Sequence, residues 1–172
     1  MRGRAYPRAI PRHRNLPRRA LLLAGIAVVV AGCVMPTPWT GAGDIPCPVT
    51  GTVHFRDDFG EARSGHAHEG IDIFAARGRP NVAVVGGTMT HRFDAAGGNT
   101  IWLTDKNGHR YVYLHLQGFA GPPRTVTAGE VIGFTGDSGN AVGTHTHFEI
   151  RPSGGAPINP YGTLLKACPN RN

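Results

Sequence analysis

From Cys47 onward the chain holds no sustained apolar stripe at helical spacing; short β-rich runs recur instead between clusters of Gly, Asn and Asp. A packed helix needs apolar residues three and four apart over several turns, whereas a half-buried strand needs only alternation over about four to eight residues. Strands are therefore expected at 82–85, 88–92, 100–104, 110–116, 131–134 and 146–151, and the fold class is all-β. No internal repeat or low-complexity block interrupts these runs, and 172 residues suffice for one domain with a real core.

One hairpin can be set in register from sequence. Asn107-Gly108 is a two-residue turn signal, and closing it pairs Lys106 with His109, Asp105 with Arg110, Trp102 with Tyr113 and Thr100 with His115. Alternation then places Ile101, Leu103, Val112, Leu114 and Leu116 on the core face and Tyr111, Tyr113 and His115 on the other.

The formal charge of +7 does not belong to this domain. Residues 1–32 carry seven arginines and no acid, leaving eleven basic against eleven acidic residues in the remainder. Without a basic excess there, nucleic acid is not an expected partner. Residues 1–32 read as a signal peptide, because the apolar run at 20–31 is too short for a bilayer that needs about 20 residues. Val30-Ala31-Gly32-Cys33 resembles a bacterial lipobox, which implies lipidation of Cys33 and attachment to the membrane, and Arg18-Arg19 resembles a twin-arginine export signal. Residues 33–46 read as an extended tether, 47–168 as the domain and 169–172 as a tail. With Cys33 lipidated, Cys47 and Cys168 remain as an even pair in an exported protein, either disulfide-bonded or as two buried thiols.

Five residues carry ligand chemistry: His68, Asp72, His115, His145 and His147. A catalytic zinc keeps three protein ligands and one open position, and imidazoles with a carboxylate suit it. His145 and His147 are two apart in an alternating run, so on a strand they share a face with Cα atoms about 7 Å apart. Glu149 follows on that face, either as acceptor for an imidazole N–H or as a solvated carboxylate. His68 and Asp72 would lie about 13 Å apart on a straight strand, so the chain must bend between them, and Gly70 permits the bend. The stretch also resembles the HExxH helix of zincins, but Gly70, Ile71 and Ile73 and the lack of a cap argue against a helix, and Glu69 is not the expected base. His66 could chelate together with His68.

These residues, in their motifs, resemble a known family. His68-x-x-x-Asp72 running into "GIDIFAARG" at 70–78, "YLHL" at 113–116 and "GEVIGFTGDSGNAVGTHTHFEI" at 129–150 are similar, in order, to the LytM/lysostaphin-type zinc metallopeptidases of family M23, from about Cys47 to Pro160. The resemblance implies a mostly antiparallel β domain with an active-site groove floored by a sheet. It implies one Zn2+ held by His68, Asp72 and His147, flanked by His145 as base and His115 as oxyanion stabiliser, with those two roles exchangeable. It also implies an endopeptidase acting on peptidoglycan stem peptides or cross-bridges, expected to be a monomer, exported and lipid-anchored facing the cell wall. A different class sharing the motifs would be a non-catalytic wall-binding or amidase-regulating lipoprotein, but all five positions are filled here. Asn99, after Gly97-Gly98, resembles a substrate-contacting asparagine, although the hairpin register puts it on the core side unless the strand bulges; Tyr113, beside His115, is a second expected contact. Thr146 stands where the family usually has leucine, and His66-Ala67 replace an arginine-containing lead-in.

Overall fold

The protein is described from a computed structural model covering residues 44–171. The expected signal peptide, Cys33 and most of the tether lie outside the described residues. Among the described residues eleven strands and one helix follow in chain order: β1 Ala62–Arg63, β2 His66–Ala67, β3 Ile71–Phe74, β4 Pro80–Val82, β5 Gly87–Asp94, β6 Gly98–Thr104, β7 Arg110–Leu116, β8 Gly118–Phe119, β9 Arg124–Val126, β10 Val131–Phe134, β11 His145–Arg151 and α1 Tyr161–Ala167.

A six-stranded antiparallel sheet runs β3-β11-β7-β6-β5-β9, a smaller one runs β4-β10-β8, and β1-β2 forms a separate hairpin. The chain leaves the large sheet at Leu116 and enters the small one at Gly118, so the two meet across one core. Ile71, Ile73, Met89, Ile101, Leu103, Tyr113, Phe148 and Ile150 fill it from the large sheet, and Ile132 from the small. Gly133 lets the sheets approach, because a methyl there would lie 3.1 Å from both Ile101 and Leu116 side chains.

The 105–109 hairpin differs from its expected register by one residue. Asp105 and His109 close it, with the Asp105 carboxylate accepting from the Asn107 and His109 amides at 2.8 and 2.9 Å. Gly108 sits at φ +81°. This is a three-residue loop with a left-handed glycine, favoured by the aspartate that folds back on the backbone. Thr104 therefore faces Arg110, Leu103 faces Tyr111 and Ile101 faces Tyr113. A one-residue slip exchanges the faces, so Tyr111 and Tyr113 join the core. Tyr113, expected beside substrate, is fully buried: its hydroxyl donates to the Val82 carbonyl at 2.9 Å and accepts from the Val84 amide at 3.1 Å.

Both domain ends are packed. Ile45, assigned to the tether, is buried in the core, and Val53 donates to the Asn170 carbonyl at 3.2 Å within the expected tail. Helix α1 went unanticipated because it is short and buries only Leu164. Cys168, at its end, is disulfide-bonded to Cys47 across 121 residues, joining the two ends of the fold.

Candidate metal centre and its surroundings

Strand β11 supplies the centre by alternation. Thr146, Phe148 and Ile150 belong to the buried side, leaving His145, His147 and Glu149 on the opposite face. Asp72 on β3 stands directly opposite His147. His68 returns to them through the bend at Glu69-Gly70, its backbone held by the β1-β2 arm: the His68 amide donates to the Glu61 carbonyl and its carbonyl accepts from Gly60, each at 2.8 Å. Gly70 has no positive φ; what it supplies is space, since a methyl there would lie 2.4 Å from the Phe148 carbonyl oxygen and 2.6 Å from His147 Nε2.

His68, Asp72 and His147 converge, all buried, as a group whose ligand atoms lie within 4.8 Å of one another. His68 Nε2 lies 2.8 Å from His147 Nδ1, and Asp72 Oδ1 lies 3.0 Å from each. The outward nitrogen of each ring is committed: His68 Nδ1 donates to the Asp58 carbonyl at 2.8 Å and His147 Nε2 to Glu149 Oε1 at 3.1 Å. Arg63 holds the other Asp72 oxygen at 2.9 Å, leaving Oδ1 turned inward. In the neutral-ring state, three lone pairs face one another without a donor between them, which is the donor set a zinc ion fits. His66 is exposed on its hairpin, with Nδ1 near the Ser64 carbonyl, and is not a member of the group.

His145 and His115 flank this group. His145 Nε2 is 3.5 Å from Asp72 Oδ1, while its Nδ1 donates to the Gly143 carbonyl at 3.1 Å. His115 lies with its ring centroid 4.8 Å from that of His145 and donates from Nδ1 to the Ser138 carbonyl at 2.9 Å. Strict alternation in the observed register would bury His115 on the core side with Tyr111 and Tyr113. A bulge between Asn99 and Ile101, with His115 itself at φ +63°, reverses it. The expected orientation of His115 is therefore found, but for a different reason. Asn99 Nδ2 and Ser138 Oγ both donate to the Leu116 carbonyl, at 3.1 and 2.8 Å, so the Asn99 amide nitrogen braces the bulge.

Burial and charge set the protonation states. Burial opposes charge on His68, but hydrogen bonds with Asp58 and Asp72 prevail and hold its pKa at about 10. Against the same penalty, hydrogen bonds with Asp72 and Glu149 raise His147. Asp72 and Glu149 pay a burial penalty too, yet their partners hold both below the ordinary carboxylate range, His147 and His68 for Asp72, His147 and Arg151 for Glu149. Burial dominates at His115, pushed down to about 4, and lowers His145. Asp58, Arg63 and Ser138 were not singled out from sequence, because their contacts depend on residues 9 to 23 positions away.

Residues 66–160 match the family model for peptidase family M23. The chain belongs to peptidase family M23. It is 38% identical over 99 residues to the DD-carboxypeptidase/endopeptidase Mpg of Neisseria meningitidis serogroup B, covering 57% of this chain and 23% of that protein. It is 34% identical over 106 residues to the L-Ala–D-Glu endopeptidase of Bacillus subtilis, covering 58% of this chain and 32% of the relative. The matched part of the M23 chain thus spans between about a fifth and a third of those relatives. In structure it resembles the catalytic domain of lysostaphin from Staphylococcus simulans, with a TM-score of 0.56 and 28% identity over 65% of this chain and 90% of that one. It also resembles a putative glycyl-glycine endopeptidase from Ruminococcus gnavus, with a TM-score of 0.63 and 26% identity over 74% and 62%.

Proposed function

We propose that this M23 protein is a zinc-dependent endopeptidase that hydrolyses peptide cross-links of bacterial peptidoglycan, acting as a monomer exported behind a signal peptide and tethered by lipid at Cys33. The observation that carries the reading is the inward convergence of His68 Nε2, His147 Nδ1 and Asp72 Oδ1 with every outward partner already committed. The endopeptidase names of the relatives support the peptide-cleaving class.

His68, Asp72 and His147 would hold the ion. Bound zinc supplies Lewis acidity, polarising the scissile carbonyl and lowering the pKa of water toward about 7. His145, neutral and with Nδ1 committed to Gly143, offers its Nε2 lone pair to take the proton from the attacking water. The resulting Nε2–H can then serve the leaving amine. His115 needs a revised role. With its Nδ1–H given to Ser138, its neutral ring presents a lone pair at Nε2, so it accepts from water and donates to an oxyanion only after protonation.

The test separates the two groups. Alanine at His68, Asp72 or His147 should lose zinc and activity together. Alanine at His115 or His145 should retain zinc and lose turnover by about 10² to 10⁴. Activity is read as chelator-sensitive release of peptides from purified cell walls. Full zinc stoichiometry in Asp72→Ala would overturn the ligand assignment, and no release by the parent protein would overturn the activity.

A further inference from the structure

The sheet face that carries the metal centre continues beyond it. His147 faces Leu114 on β7, Val112 lies two residues along on the same side, and Val112 faces Trp102 on β6. Over Trp102 stand two guanidiniums, Arg92 from β5 at 4.1 Å and Arg110 from β7 at 4.7 Å from the ring centroid. Neither forms an ion pair among the described residues. The nearest acids in sequence are turned elsewhere: Asp94 accepts from the Ala96 and Gly97 amides, and Asp105 from those of Asn107 and His109. Arg151, on the same face, differs because Glu149 and Glu69 engage it.

We propose that Arg92, Trp102 and Arg110 form a carboxylate-binding subsite on this sheet face, engaging a peptide that carries a free carboxylate three or four residues from the scissile bond. A guanidinium stacked on an indole is held in place by the ring while its N–H edge stays available for bidentate contact with a carboxylate. The spacing follows from the register. Trp102 lies two strands across from β11, about 10 Å, and two residues along, about 7 Å, placing it about 12 Å from His147, a span of three to four extended residues. The subsite rests on the reading of the protein as a peptide-cleaving enzyme, and it adds to that reading a demand on substrate charge.

Two measurements on the full exported chain test it. The sequence holds two tryptophans, Trp39 and Trp102, so Trp39→Phe makes Trp102 fluorescence a reporter of the subsite. Titrating metal-stripped protein with a stem peptide bearing free carboxylates, and with the same peptide fully amidated, should show the acid binding roughly 10- to 100-fold tighter. The Arg92→Gln/Arg110→Gln double variant should abolish that difference. In turnover, the double variant should raise KM for the acid peptide by a similar factor, with kcat unchanged and the amide unaffected. Equal binding of acid and amide by the parent, or an unaltered preference in the double variant, overturns the subsite. So does saturation of the Trp102 signal by polyphosphate but not by the acid peptide. Should the parent cleave neither peptide, the enzymatic reading fails while the fluorescence titration still decides the subsite.

Discussion

Replacing Gly70 by alanine tests whether space, and not backbone freedom, is what the bend requires. The added methyl would sit 2.4 Å from the Phe148 carbonyl oxygen, 2.6 Å from His147 Nε2 and 2.9 Å from Cε1 of the same ring. The carbonyl belongs to β11, which is paired on both sides by β3 and β7, so the backbone has little room to retreat. Relief requires a displacement on the order of 0.5–1 Å, and the imidazole is the part that can give. The atom pushed is the one that donates to Glu149 at 3.1 Å and so fixes the ring. Overpacking of this kind costs about 1–3 kcal/mol, a fall in Tm of roughly 3–15 °C for a domain of this size. Disturbing the partner that orients a ligating histidine costs about 10- to 100-fold in metal affinity. Gly162→Ala in α1, where a methyl meets nothing within 4 Å, serves as the control and should not lower Tm. Chelator competition gives the zinc Kd and calorimetry the Tm. A Gly70→Ala protein with Kd within about twofold of the parent and an unchanged Tm would refute the steric argument.

Thr146 Oγ1 donates to Asn81 Oδ1 at 3.0 Å and lies 3.1 Å from Thr135 Oγ1, all three residues being fully buried between the sheets. Thr146→Val keeps the shape but strands that amide oxygen, so urea unfolding should show a loss of about 1–3 kcal/mol; an unchanged midpoint would show the network to be dispensable. His68, with a folded pKa of about 10 above an ordinary value of about 6.5, contributes stability that is complete below pH 6.5 and lost as pH rises through about 10. Urea midpoints of metal-stripped protein should therefore fall between pH 7 and 10, and His68→Gln should flatten the trend; a midpoint that rises contradicts it. Reducing the Cys47–Cys168 bridge, which closes 121 residues, should cost about 4–5 kcal/mol, visible as a lower Tm with reductant; equal melts would place the stability elsewhere.

The strands were readable where alternation was uninterrupted. β11 is the clearest case, since every second residue from His145 to Glu149 turns to the site and the intervening ones face inward. The need for a bend between His68 and Asp72 followed from strand rise alone. The β6-β7 pairing was misread because Asn107-Gly108 offers a two-residue turn, while the decisive group, the Asp105 carboxylate, selects a three-residue loop. Tyr113 was misplaced by that slip. The bulge beside Asn99 was legible only as an exception to alternation after Gly97-Gly98; what holds it is tertiary, with Gly98 packed against Ser138, where a methyl would lie 2.3 Å from the hydroxyl, and with Asn99 and Ser138 both donating to the Leu116 carbonyl. Glu149 was open to reading as an imidazole acceptor or as a solvated carboxylate because it shares a strand with His147, and it is the acceptor, whereas Asp58 and Arg63 reach the centre from a separate loop and hairpin.

The backbone at His115 carries a consequence for how such a protein can change. A non-glycine residue at φ +63° is strained by about 1–2 kcal/mol, and glycine, lacking a Cβ, relieves it most completely. Variants selected for heat tolerance alone would be drawn toward glycine at 115 and would surrender the imidazole beside His145. Screening for thermostable forms of this M23 protein therefore has to score the proposed turnover together with melting, because this gain in one is a loss in the other.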